Sequence, residues 1–582
     1  MPLDFLVGPI RRTVHDAGDD LLSAGLGLPG LAGLPAPFGD PARPTATELR
    51  RRAIQSNWKG IADLGPLGGY GSVYGGVPIV PGREYSAFAR LPNAKHAHRV
   101  LCQVPDHFDA RARCLIVAPS SGSRGVYGAI ALGGAWGLPR GCAVAYTDRA
   151  GGAGYFDCRD GSGVTLDGRR AIAGDDLLEF QPDSAPAGAG IATKHAHSGD
   201  HPEADWGAHT LQAAHFGLAM LDEAFPEQAP FTPDNTRIIA IGISNGGGAV
   251  LQAAGLDHAG MLDAVLALEP NVHVAGNGRA LYDYATEAAL LMPCALADAR
   301  FAATPFARVG TALPPGWAAR GAALQSLGFI SVADPSRQPG EAVERLCAAG
   351  WEITAIESAA CSTMFDMWRA VAVTYASAYL RRGVGDMPCG FSFQTISPSG
   401  QPGPAADAVR AAWWAEGSGI PPDVGIALFG GNDTSADTTL PGIVALRELW
   451  RAQGADAEAL HAAVDQLAVR LPRRELPIWI VHGADDGLIP AVFTSDAYVE
   501  WMRRQARAPR YWRVPHAQHF DAFLAVPGFG DRHVPLLPYG YAALDRIYAH
   551  VVDKKPLPDA PVPQPRLRGA EALTRGHLGI QW

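Results

Sequence analysis

The sequence predicts an α/β protein: a mostly parallel sheet with crossover helices, interrupted by a large and mostly helical insertion. Three observations carry this. First, apolar runs that end in glycine-rich loops alternate with segments of helical period, as in CLIVAPSSGSRG, CAVAYTDRAGG and TRIIAIGISNGGGAVLQAAGL. Such alternation is what a parallel sheet with crossover connections requires. Second, AVLALEP and the next core-type run, LPIWIVHG, are separated by roughly 200 residues of Ala-rich helical pattern broken by prolines, which predicts an inserted cap or lid. Third, a chain of 582 residues far exceeds what one small core needs.

Taken in order, residues 1–95 predict an N-terminal extension. It carries a helical pattern at TATELRRRAIQSNWKGIADL and a loop at GPLGGYGSVYGG. Residues 96–272 predict the first part of the core. A strand-like run near Arg99–Val104 opens it, the buried strands CLIVAP and CAVAYT follow, and EADWGAHTLQAAHFGLAMLDEAF supplies a helix. Residues 273–470 predict the cap, 471–550 the rest of the core, and 551–582 a Pro-rich tail, KKPLPDAPVPQPRLRG, in extended form.

Composition narrows the partners. A net charge of −10 without a basic stripe argues against nucleic acid. No uninterrupted apolar run reaches the roughly 18 residues of a membrane helix. The start MPLDFLVGPIRR lacks the charged n-region and long apolar core of a secretory signal, so either the protein stays inside the cell or the sequence is a mature form. None of the eight cysteines sits in a CxxC, which excludes a zinc ribbon and leaves disulfides and buried thiols both open.

The strongest local signal is Gly242-Ile243-Ser244-Asn245-Gly246, between the strand-like RIIAI and the helix-forming AVLQAAGL. A nucleophile elbow places serine on a sharp strand-to-helix turn, and the small residues two before and two after let strand and helix pass closely. The prediction thereby sharpens to an α/β-hydrolase fold with Ser244 as nucleophile. In that fold the chain order is nucleophile, acid, base. The acid is expected just past LPIWIVHG, at Asp486, with Asp485 as the alternative. The base is expected in WRVPHAQHF, at His519, with His516 as the alternative. An oxyanion hole needs two preorganised backbone amides. One is expected from Asn245 and the other from the loop PSSGSRG, where Ser121, Gly122 and Ser123 stay open. Arg124 in that loop suits a substrate carboxylate or is a surface arginine. His195, His197, His201 and His209 cluster in KHAHSGDHPEADWGAHT, but nothing nearby completes a familiar ligand set, so they read as a polar loop before a helix. No metal and no cofactor is expected.

RRTVHDAGDDLLSAGLGL, APSSGSRGVYGAIALGGAWGLPRGCAVAYTD, KHAHSGDHPEADWG, GISNGGGAVLQAAG and PHAQHFDAF resemble the D-(−)-3-hydroxybutyrate oligomer hydrolases. The resemblance covers most of the chain, from near the N-terminus to beyond His519, and departs from the family at GGVPIVPGREYSAFA, which is shorter. It implies a carboxylic ester hydrolase that takes short 3-hydroxybutyrate oligomers to monomers, downstream of a poly(3-hydroxybutyrate) depolymerase, with the family's nucleophile at Ser244. Members are commonly secreted, which implies export and a removed signal peptide. The residues suit the same partner: an oligomer neutral along its length with one terminal carboxylate fits a pocket with apolar walls and one cation. An aryl-ester hydrolase of feruloyl or tannase type, a peptidase and a catalytically dead binding protein are the alternatives. The oligomeric state is not legible.

Overall fold

The computed structural model describes residues 3–122, 124–185, 190–397, 399–421, 424–430, 439–559 and 561–582. Nine strands form the central sheet: β1 (Leu6–His15), β2 (Gly82–Ala89), β3 (His98–Pro105), β4 (Cys114–Pro119), β5 (Ala143–Thr147), β6 (Arg237–Ile243), β7 (Ala264–Leu268), β8 (Ile478–Gly483) and β9 (Arg510–Val514). Their spatial order is β1-β2-β3-β5-β4-β6-β7-β8-β9. The β1–β2, β2–β3 and β3–β5 pairs are antiparallel, and every pair from β5 to β9 is parallel.

The parallel strands are apolar without interruption because both faces are covered. Along each strand, successive side chains enter opposite layers. Leu115, Val117, Ile238, Ala240, Val265 and Ile480 pack with α2 (Trp206–Ala224) and α3 (Asn245–Leu256). Ile116, Ala118, Ile239, Ile241, Leu266 and Val481 face the other way. That second layer holds α7 (Leu537–Val551) and is continuous with the insertion between β7 and β8. The insertion includes α4 (Leu281–Ala295), α5 (Ile353–Met364), α6 (Met367–Tyr379) and a two-stranded ribbon, Phe391–Thr395 with Ile426–Gly430. The α/β-hydrolase fold with a large, mostly helical cap is thus the architecture of the chain.

Two features differ from the sequence reading. Residues 1–95 supply β1 and β2 to the sheet, besides α1 (Ala46–Lys59). The α1 start is set by a capping box: Thr45 Oγ1 accepts from the Glu48 amide at 3.2 Å, and the Thr45 amide donates to the Glu48 carboxylate at 2.8 Å. β1 is half-exposed, contains Pro9 and carries several polar residues, so it gives little of the apolar signal of a core strand. The histidine-rich segment, read as a polar loop before a helix, is also buried. Lys194–His197 is a short helix with every residue buried, beside a four-stranded sheet of three-residue strands.

Candidate active site

The C-terminal ends of β6, β7 and β8 and the loop after β9 converge at one point. Ser244 directly follows β6 and holds φ +58°, ψ −122°, a conformation that costs strain. The flanking glycines are what the turn allows. A Cβ at position 242 would stand 2.1 Å from the Gly246 carbonyl oxygen, and one at 246 would stand 2.5 Å from the Pro119 oxygen. Ser244 Oγ–H donates to His519 Nε2 at 3.1 Å, and His519 Nδ1–H donates to Asp486 Oδ2 at 2.8 Å.

Asp486 is fixed from its other side. Its Oδ1 accepts from the amides of Leu488 (2.8 Å) and Ile489 (2.7 Å). His482 Nε2 donates to Ile489 O at 2.8 Å and to Asp486 Oδ2 at 3.2 Å, while the Ser495 hydroxyl donates to His482 Nδ1 at 2.6 Å. Burial alone would raise the Asp486 carboxyl. The neighbouring His519 and the hydrogen bond from His482 outweigh it, so Asp486 titrates below the ordinary carboxylate range. The two alternatives in sequence lie elsewhere: Asp485 faces His533 at 3.9 Å, and His516 is a turn residue at φ +59°.

Asn245 opens α3, so its amide has no acceptor within the helix. Its side chain is locked between the cap and the core: Nδ2 donates to the Tyr375 hydroxyl at 2.7 Å, and Oδ1 accepts from Asn271 Nδ2 at 2.9 Å. In the loop after β4, the Ser121 amide donates to Gly128 O at 3.4 Å, which weighs against Ser121 as an oxyanion donor. Gly122 lines the cavity at φ +52°. Ser123 lies outside the described residues. Arg149, fully buried after β5, braces this loop: Nε donates to Ser120 O at 2.8 Å, Nη2 donates to Gly122 O, and the guanidinium lies 4.6 Å from the Trp206 ring centre.

A cavity of about 330 Å³ opens over Ser244. Phe365, Val371 and Ile420 of the cap and Leu488, Phe520 and Leu536 of the core give it apolar walls. Gly60 and Ile61, just past α1, complete it, and Arg124 Nη2 donates to Gly60 O at 3.3 Å. Arg124 is therefore half-buried at the wall of the cavity that holds Ser244. Among the described residues, the three donors close enough to share a metal are Glu269, Asp486 and His519, two of which form the hydrogen-bonded chain to Ser244. Of the histidines in the 195–209 segment, His195 and His201 pair with Glu203, His197 Nδ1 accepts from the Thr193 amide at 2.9 Å, and the His209 ring packs on His98 at 4.5 Å.

Sequence reasoning missed Glu269, His482, Tyr375, Arg149 and the Gly60–Ile61 corner. Glu269 and Arg149 did carry a signal, since each closely follows a strand that ends at the site. Tyr375 and Gly60 reach the site only through tertiary packing.

A hydroxyl aimed at an imidazole, an imidazole held by a buried carboxylate, and an adjacent helix-start amide can run acyl transfer. Fold and site together define a hydrolase of the α/β-hydrolase class. The comparison with known sequences is more specific. The family model described as 3HB-oligomer hydrolase matches residues 2–578. The D-(−)-3-hydroxybutyrate oligomer hydrolase of Paracidovorax citrulli is 38% identical, over 99% of this chain and 92% of that protein. Its counterpart in Cupriavidus metallidurans is 37% identical, over 97% and 87%. The chain belongs to the 3HB-oligomer hydrolase family. Among solved structures, feruloyl esterase B from Aspergillus oryzae is 12% identical with a TM-score of 0.31, over 86% of this chain and 85% of that one. The rice cell wall degrading esterase LipA from Xanthomonas oryzae is 11% identical with a TM-score of 0.36, over 82% and 91%.

Proposed function

We propose that the protein hydrolyses the ester bonds of short 3-hydroxybutyrate oligomers by acyl transfer through Ser244. The observation that carries this is the unbroken chain Ser244–His519–Asp486, with Ser244 and His519 lining an apolar cavity. The names of the relatives supply the acyl group. In the first step His519 Nε2 takes the Ser244 proton as Oγ attacks the ester carbonyl. The Asn245 amide and an amide of the 121–123 loop, Gly122 being the described candidate, hold the oxyanion. His519 then gives its proton to the leaving hydroxyacid. Water attacks the acyl-enzyme with His519 again as base, and Ser244 is restored. Asp486 keeps the imidazole in the tautomer this needs. A cavity of about 330 Å³ lies at the lower end of the range for ligand pockets, which suits short chains. Arg124, in the wall of that cavity, would receive the single terminal carboxylate.

The test is product analysis with 3-hydroxybutyrate dimer and trimer, wild type beside Ser244→Ala. Monomer is expected from the wild type, with kcat lower by on the order of 10⁴ or more in the variant. Substantial activity in Ser244→Ala would remove the nucleophile assignment. No monomer from either, with p-nitrophenyl esters still cleaved by the wild type, would remove the oligomer assignment and keep the esterase.

A further inference from the structure

One carboxyl stands against the Ser244–His519–Asp486 chain and takes no part in it. Glu269 directly follows β7, the strand between those that deliver Ser244 and Asp486. Its side chain is 1% exposed and lines the cavity. Its Oε2 is buried without a hydrogen-bond partner, at 3.8 Å from His519 Nδ1. That nitrogen is the one that donates to Asp486. A buried polar atom left unpaired is costly and calls for an explanation. The backbone holds the residue there: Glu269 has φ +35°, and its amide donates to Val481 O at 2.7 Å.

Two carboxyls thus flank one imidazole nitrogen, and the surroundings favour one negative charge. Asp486 has it, because two backbone amides and His482 point at its oxygens. Among the described residues, no donor points at Glu269 Oε2. Burial first, then the charges of Asp486 and Asp521, push its carboxyl well above the usual range, toward the neutral form. Among the described residues, the titratable groups that face it are His519 and Asp486 beside it and Asp521 at the start of a short helical turn, with Arg124 lining the same cavity.

We propose that Glu269 is a second acid for His519, a positioning residue that orients the imidazole when Asp486 cannot carry the charge. This rests on the reading of Ser244 and His519 given above. With Asp486 neutral, the largest charge opposing ionisation of Glu269 disappears. Glu269 releases its proton through the cavity it lines, and Oε2 needs to move only about 1 Å to accept from Nδ1.

The experiment measures kcat/KM against pH on a p-nitrophenyl ester for full-length Asp486→Asn, Asp486→Ala, Glu269→Gln, both double variants and Ser244→Ala. Thermal melting checks that each is folded. Asp486→Asn keeps an acceptor for the Leu488 and Ile489 amides, and Asp486→Ala is the second background should the first disturb the loop. We expect each Asp486 variant to keep on the order of 10- to 100-fold more activity than its double with Glu269→Gln. We also expect the single variants to show a rise of activity with pH beyond the one that deprotonation of His519 gives the doubles. A purely structural Glu269 would not produce that pH step. Folded Asp486 variants no more active than their doubles, with no such step, would overturn the inference. Activity retained in Ser244→Ala would instead overturn the underlying nucleophile assignment, and the two failures are told apart in one experiment.

Discussion

Arg124 joins two segments far apart in sequence. Its guanidinium donates to Gly60 O and fills the space a side chain at position 60 would take, since a Cβ there would stand 2.1 Å from Nη2. A carboxylate accepts from arginine more strongly than a carbonyl does. The free carboxylate of an oligomer therefore has a reason to dock at this corner. Arg124→Met is expected to raise KM for free-acid trimer by about 10- to 100-fold while changing KM for its methyl ester much less, a difference steady-state kinetics reads directly. Equal effects on both esters would make Arg124 a wall residue only. The motif and strand context predicted Ser244, and the chain order narrowed the acid and base to two neighbouring pairs. The pattern past LPIWIVHG favoured Asp486 and kept Asp485 as the alternative, because adjacent residues of a turn point in different directions. Only the placement of the Leu488 and Ile489 amides and of His482 fixes Asp486.

At the scale of elements, the site depends on close approach of backbones. With the Gly246 oxygen 2.1 Å from a Cβ at position 242, Gly242→Ala must open the elbow. It is expected to cost at least 1–3 kcal/mol of stability, as overpacking does, and to reduce activity more than it reduces melting temperature. Full activity in that variant would show that the turn is not constrained. The start of α7 offers a second test. Asp521 is buried and accepts from the amides of Leu536 (2.7 Å) and Leu537 (2.9 Å). Burial pushes its carboxyl up to about 7 against those two bonds. A folded-state value raised above the unfolded one means stability is fullest below the ordinary carboxylate range and is lost as pH rises through about 7. At about 1.4 kcal/mol per unit, the loss is up to about 4 kcal/mol. Asp521→Asn cannot ionise, so its melting temperature is expected to gain on that of the wild type between pH 4 and pH 8. Parallel curves would sink the assignment.

At the scale of the whole molecule, the cap is built into the protein rather than laid over it. One hydrophobic core runs from Ile239 and Leu266 of the sheet to Tyr284, Trp351 and Trp368 of the insertion. Tyr375 of α6 holds Asn245, and a Cβ on Gly487, next to Asp486, would stand 2.3 Å from the Ala359 amide nitrogen of α5. The segment after β5 is tied down by charge. Lys194, buried, donates to Asp148 and Glu179 at 2.6 Å each, and Arg99 of β3 donates to Glu179. Burial lowers the ammonium's affinity for its proton, and the two carboxylates more than restore it. Lys194→Met would leave those carboxylates short of a cation in the interior. It is expected to destabilise the protein by about 3–5 kcal/mol, measured by denaturant unfolding. A loss under about 1 kcal/mol would mean that the network is hydrated.

The sequence by itself determined the α/β-hydrolase fold, the family, the nucleophile motif and the helical character of the insertion. These are written in local pattern: apolar runs of strand length, glycines where backbones must touch, and the order in which strand ends deliver functional groups. The tertiary structure decided the rest. It brought β1 and β2 into the sheet, buried the histidine-rich segment, placed Gly60 and Arg124 at the cavity mouth, and set Glu269 against His519. Each of those outcomes depends on contacts between segments distant in the chain, where burial and charge act on residues whose neighbours in sequence carry no record of them.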